Sequence, residues 1–158
     1  MVTLSKDGKP IIEAEAKIAY DLAFGPTWYR FFEGLKKEQI WGTKCPKCHR
    51  VLVPARTFCP RCFVDMDEWV KLSSEGVIAG WALIEMEYFG MPTPPPFVTG
   101  VINLDGADCS FNHIIGGFDL SDLDVVRATI KNGMRVKAVW DEDKTGCIMD
   151  IKHFKPIT

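Results

Sequence analysis

The hydrophobic positions of this chain follow two rhythms. Trp28, Phe31, Phe32 and Leu35 recur at i, i+3, i+4 and i+7, the one-sided spacing of an amphipathic helix. Pro26 suits the first turn of that helix, and Gly25-Pro26 breaks whatever precedes it. A thinner helical pattern, built on alternating Glu and Ala, covers residues 11–20. Beyond Asp67 the spacing shortens to that of strands, over residues 69–72, 77–87, 97–104, 107–115, 134–140 and 147–154. Asp105-Gly106 is a hairpin signal between two of these runs, and residues 141–146 form another turn. Ser121 is placed to cap a helix over 122–131, with Asp122 and Asp124 in its first turn, where the helix dipole favours acids. Two short strands, 39–44 and 51–53, come before all of this, the second closed by Pro54. The pattern predicts a helical segment at 1–38, a small cysteine-bearing unit at 39–66 and a β domain at 67–158. Five or six short strands with one inserted helix fit a small Greek-key barrel of the OB type. The expected fold class is therefore mainly β with N-terminal helices.

Chemistry concentrates in the middle unit. Cys45-Pro-Lys-Cys48 and Cys59-Pro-Arg-Cys62 are two knuckles of the Cys-x-x-Cys kind, each able to present both sulfurs from one tight turn. Residues 49–58 form the hairpin that returns the second knuckle to the first. Four converging thiolates predict one tetrahedral zinc ion held by Cys45, Cys48, Cys59 and Cys62, with iron in the rubredoxin manner using the same ligands. Such a shell is full, which makes the metal structural. The formal charge of −2 on four thiolates and a divalent ion is offset by nearby Lys47, Arg50 and Arg61. His49, directly after Cys48, reads as a surface residue, and Cys109 and Cys147 as small apolar core residues.

Charge is distributed unevenly. Residues 36–62 carry a net charge of +6 and the remainder −8, and no Lys or Arg occurs from residue 72 to 126. That stretch offers aromatics (Trp81, Tyr88, Phe89, Phe97, Phe111) beside eight acids, a combination that repels a phosphate backbone. Nucleic acid is thereby disfavoured as a partner. No apolar run approaches the roughly 18 residues of a membrane span, and the N-terminus has no secretory pattern, so a cytoplasmic protein is expected.

The sequence holds no Gly-rich phosphate loop, no Gly-x-Ser-x-Gly elbow and no metal-binding histidine pair. His113 and His153 fall in strand patterns, as structural histidines do. The segment Tyr88-Phe-Gly-Met-Pro-Thr-Pro-Pro-Pro-Phe97 is a stiff, mostly apolar loop, either a plain connection or a docking element for a partner. The Trp28/Phe31/Phe32/Leu35 stripe raises the same alternative, between the protein's own core and a partner's surface.

Taken together, the Phe-Phe-Glu-Gly-Leu35 helix end, the paired knuckles, Pro54-Ala-Arg56 and Gly133-Met-Arg-Val-Lys-Ala-Val139 resemble one family. It is the family of small acyl-CoA-associated proteins with a rubredoxin-like zinc ribbon followed by an OB-fold. The resemblance covers residues 26–158. It implies an accessory subunit of a thiolase-fold enzyme, in which the partner supplies the nucleophilic cysteine and the histidine and this chain supplies no catalytic residue. It also implies a CoA thioester as the shared ligand. The basic ribbon suits the 3′-phosphate and pyrophosphate of coenzyme A, with Arg50, Arg56 and Arg61 first and Lys47 next as candidate contacts; the alternative is that these charges only balance the thiolates. The competing class is a stand-alone acyl-CoA or lipid carrier.

The cation-free stretch sets an expectation for nucleic acid. Fluorescence anisotropy at physiological ionic strength should show no binding to single-stranded DNA or RNA, and a micromolar complex that weakens steeply with salt would contradict the charge reading.

Overall fold

The computed structural model describes residues 2–12 and 20–157. At the N-terminus β1 (Val2–Leu4) and β2 (Pro10–Ile12) form an antiparallel hairpin. The helix expected over 11–20 is not seen where it is described: Ile11 and Ile12 lie in β2, Tyr20 is not helical, and 13–19 fall outside the described residues. Pro10 cannot donate a ladder hydrogen bond but is tolerated in a two-stranded edge.

Helix α1 (Pro26–Lys36) begins, as expected, with proline in its first turn. It ends by a left-handed closure: Glu38 has φ of 58°, its N–H donates to the Leu35 carbonyl, and the Gln39 N–H reaches back to the Gly34 carbonyl. The chain thereby reverses straight into β3 (Ile40–Lys44). Gly34 is required here, because a Cβ on it would stand 2.5 Å from the Trp41 ring. The apolar stripe divides. Phe31 and Leu35 are fully buried and Phe32 half-buried, whereas Trp28 remains 46% exposed.

Strand β3 is the centre of a three-stranded antiparallel sheet, flanked by β4 (Val51–Leu52) and β5 (Glu68–Leu72). The strand read as the opening of the barrel thus pairs along its whole length with the ribbon. Arg30 on α1 fixes that choice, its guanidinium lying 4.2 Å from the Trp69 ring centre on β5 and 5.8 Å from that of Trp41 on β3.

The barrel follows: β6 (Glu75–Ile84), β7 (Phe97–Leu104), β8 (Phe111–Ile115), helix α2 (Leu123–Thr129), β9 (Arg135–Trp140) and β10 (Ile151–Pro156). The strands close in the order β10-β8-β7-β6-β9, with α2 between the third and fourth barrel strands, the OB arrangement. Its interior is packed solid by residues such as Ile78, Val98, Ile102, Phe111, Ile115 and Phe154. Gly100 makes room for Ile115, whose side chain occupies the space a Cβ would take.

Three details depart from the sequence reading. Asp122, not Ser121, caps α2, its carboxylate accepting from the Asp124 and Val125 N–H groups at 3.1 Å. Residues 107–110 leave the sheet before β8. Residues 148–150 form a 3₁₀ turn (Ile148–Asp150) because the buried Asp150 carboxylate captures the Thr145 and Gly146 N–H groups, each at 2.9 Å. That turn lies along the seam where β8 and β10 meet, in parallel, only at Phe154 and Ile115. The buried His113 spans the seam, stacked on Phe111 and edge-on to Phe154, and its Nε2 donates to the Ile148 carbonyl at 3.1 Å. Its Nδ1 is buried without a hydrogen-bond partner among the described residues.

A neutral His113 follows from burial, which pushes its pKa below the ordinary value; burial, with Lys152 and Lys155, acts likewise on His153. Below about pH 6.5 the unfolded chain takes up protons that the folded one refuses, so stability should fall with acidification. Melting curves from pH 7.5 to 5.5 should decline in the wild type and less steeply in His113→Gln. The difference is bounded by about 1.4 kcal/mol per pH unit for one proton. Equal slopes would show that His113 is not held neutral.

Candidate metal centre and ligand trough

The two knuckles are built identically. In each, the N–H of the first cysteine donates to the carbonyl five residues on (Cys45 to Arg50, Cys59 to Val64), and its own carbonyl accepts from the residue four ahead (His49, Phe63), all at 2.9 Å. His49 and Phe63 take the left-handed conformation that closes such a loop, with φ of 61° and 52°. His49 is exposed and is no ligand, as its position suggested. The knuckles bring the Sγ atoms of Cys45, Cys48, Cys59 and Cys62 within 4.8 Å of one another. A tetrahedron with metal–sulfur bonds of about 2.3 Å has edges of about 3.8 Å; Cys48 and Cys59 Sγ lie 3.8 Å apart. The site fits a zinc ion, and all four expected ligands come together.

Electrostatics point the same way. Burial disfavours a thiolate at Cys45, yet the N–H groups of Cys48 and Lys47 aimed at it prevail and bring its pKa down to about 6. Burial and the neighbouring sulfurs push Cys62 up to about 12. Four clustered sulfurs, two of them buried, thus do not all ionise on their own, and a divalent cation is the natural countercharge. Around them pack Leu52, Met66 and Val64, a second small core.

The ribbon is bolted to the barrel along β4. Asp108 accepts the Val51 N–H on its carboxylate and donates its own N–H to the Val51 carbonyl, both at 2.8 Å. Cys109 accepts from the Val53 N–H (3.1 Å) and faces the Val53 carbonyl at 3.3 Å. Arg50 adds a bond from its guanidinium to the Asp108 carbonyl at 2.7 Å. Cys109 is therefore more than a small core residue: it belongs to this junction. None of these pairs was visible in the sequence, since their partners lie more than 50 positions apart and no local pattern links them.

Between α1, the ribbon and the barrel the junction leaves a cavity of about 470 Å³. Trp28, Phe31, Phe32, Phe111 and Ile148 supply its apolar wall, and Arg56, Ser110 and Asn112 its polar groups. A smaller cavity of about 200 Å³ continues along the seam, sharing Asn112 and Ile148 and ending at Tyr88, Pro92 and Met149. The two form one trough. Arg56 is held at its ribbon end by the buried Thr43, whose hydroxyl accepts the Arg56 N–H (2.9 Å) and donates to its carbonyl (2.8 Å). Beside Trp28 the Phe24 ring lies 6.0 Å away and nearly parallel, itself 52% exposed.

The four basic candidates separate accordingly. Arg56 lines the trough. Arg50 is committed to Asp108. Lys47 and Arg61 are exposed on the knuckle turns and line neither cavity. Phe97, read as the end of the apolar loop, is 5% exposed and lines the smaller cavity beside Thr99.

A metal-bearing ribbon fused to an OB barrel is the class that this fold and site define. The rubredoxin-like zinc ribbon domain of ChsH2 matches residues 32–68 and the C-terminal OB-fold domain of ChsH2 matches residues 69–141, so the chain belongs to the ChsH2 family. Among solved structures it is similar to a Sulfolobus solfataricus protein of unknown function from the DUF35 family, at 26% identity over 73% of this chain and 78% of that one, with a TM-score of 0.55. It is also similar to the Ltp2-ChsH2(DUF35) aldolase, at 18% identity over 86% of this chain and 98% of that one, with a TM-score of 0.62; that likeness is one of fold. No curated protein matches the chain.

Metal analysis of the purified protein should find one zinc per chain. Cys45→Ser or Cys62→Ser should lose it and unfold the ribbon, since structural zinc in finger peptides is worth roughly 10–16 kcal/mol of folding free energy. Iron in place of zinc, or a folded, metal-free variant lacking both knuckles, would contradict this.

Proposed function

We propose that this chain is a non-catalytic accessory subunit of a thiolase-fold enzyme that acts on a CoA thioester. The observation that carries the reading is the trough, with an arginine whose backbone is pinned by Thr43 at one end and an aromatic wall along its length. Coenzyme A is a ligand of that character: phosphates at one end, a long neutral arm at the other. Arg56 suits the phosphates because a planar guanidinium pairs phosphate oxygens two at a time. Arg61 and Lys47 remain candidates for a 3′-phosphate beyond the trough's mouth, and Arg50 would serve by holding ribbon and barrel in register. Asn112, exposed and shared by both cavities, offers amide hydrogen bonds to the arm.

The need for a partner rests on exposed aromatics. Trp28 and Phe24 form the outer lip of the trough, and an exposed apolar surface of this kind marks an interaction site. The structural neighbour named as an Ltp2–ChsH2 aldolase supports a hetero-oligomer of this design. The finer assignment we propose is the small subunit of benzoylsuccinyl-CoA thiolase of anaerobic toluene degradation, in the cytoplasm. It rests on the resemblance carried by Pro92-Thr-Pro-Pro-Pro96.

The test mixes the thiolase-fold partner, purified from the native source, with and without this protein and follows thiolytic cleavage of the CoA thioester. Activity should require both. Arg56→Ala should raise KM for the CoA substrate roughly tenfold with a smaller effect on kcat, as for an ionic contact made equally in ground and transition states. Full activity of the partner alone would end the accessory reading; thioester binding by this chain alone, with no partner, would favour a carrier.

A further inference from the structure

Between Ile84 at the end of β6 and Phe97 at the start of β7 the chain leaves the barrel. Three large apolar side chains are presented there to solvent: Met86 at 81%, Tyr88 at 51% and Phe89 fully exposed. A recess of about 560 Å³ runs beside them, lined by Leu83, Ile84, Glu85, Met86, Glu87 and Tyr88. Arg127 on α2 holds Glu85, while Glu87 is exposed and has no ion-pair partner among the described residues. The backbone beyond the tip is stiffened by Pro92 and Pro94 to Pro96, so ordering it on docking costs little conformational entropy.

We infer that the tip at residues 86–89 is a plug that enters an apolar recess bordered by Lys or Arg on the partner subunit. This rests on the accessory-subunit reading and adds to it the chemistry of the partner's surface. Charge selects the occupant. The tip lies in a stretch without a single cation from residue 72 to 126, so its electrostatic complement is a basic rim. Exposed Met, Tyr and Phe would also suit a lipid interface, but anionic headgroups and glutamates repel each other. Continuity supports the same occupant: Tyr88 lines both this recess and the smaller cavity of the trough. A protein seated on the trough's lip would thus reach the plug on the same side of the molecule.

The experiment measures the dissociation constant of the purified partner for wild type, Phe89→Ala and Glu87→Lys by calorimetry, at low salt and at 0.5 M salt. Both positions are exposed, so melting temperatures should not change. Phe89→Ala should weaken binding roughly thirtyfold, as loss of a buried aromatic anchor does. Glu87→Lys should weaken it about tenfold at low salt, and the deficit should shrink at high salt. If the wild type forms no complex, the accessory reading and the plug fall together. If a complex forms with the same affinity in all three proteins, the plug alone is overturned. Sedimentation of the wild type with phosphatidylcholine–phosphatidylglycerol vesicles, lost in Phe89→Ala, would overturn it in favour of lipid.

Discussion

Two residues in a connecting loop, Asp108 and Cys109, pair with strand β4 as though they were a strand themselves. They supply donors and acceptors to the outer edge of the ribbon at Val51 and Val53. That edge would otherwise be open, and a ribbon of this size buries too little to stand without cover. Closing it against the barrel places the four-sulfur cluster, α1 and the seam between β8 and β10 in one rigid relation. The trough exists because of that relation: its wall comes from α1, its cation from the ribbon and its floor from the barrel. Loss of the metal would therefore be felt beyond the ribbon, at the position of Arg56.

The barrel contributes shape rather than a container. Its interior is filled, to the point that Ile115 takes the volume left by Gly100. Ligand chemistry is displaced to the outside, onto the seam where strand pairing thins and a 3₁₀ turn stands in. Asp150 and His113 hold that turn from two sides, one through backbone N–H groups and the other through the Ile148 carbonyl. Both are buried polar groups in a protein whose remaining core is nearly all apolar, and both serve geometry at the trough.

Where function depended on short-range spacing, it was legible. The knuckles announce a metal site because both sulfurs of each pair sit within three positions, and the alternation of a barrel strand shows in the burial of residues 98–104. Long-range pairing was opaque. Nothing near Arg50 or Cys109 distinguishes a junction from a surface charge and a core thiol, because the partners are brought together by topology. Local competition misled at two points: Asp122 outbid Ser121 for the helix cap, and Asp150 pulled residues 148–150 out of the extended state. The aromatic stripe of α1 carried both of its possible meanings at once, with Phe31 and Leu35 turned inward and Trp28 left outside.

The ribbon and the OB-fold meet as family domains between residues 68 and 69, at the very start of β5. Yet β5 pairs residue for residue with β3 and is gripped by Arg30 through Trp69, so in three dimensions it is ribbon. The chain then has only Ser73 and Ser74 before β6 begins. Recombination at the sequence boundary would hand each daughter protein a ribbon whose third strand was selected in another background. An exchangeable module here ends at the two serines, and lineages that have traded ribbons successfully would be expected to carry their junctions there.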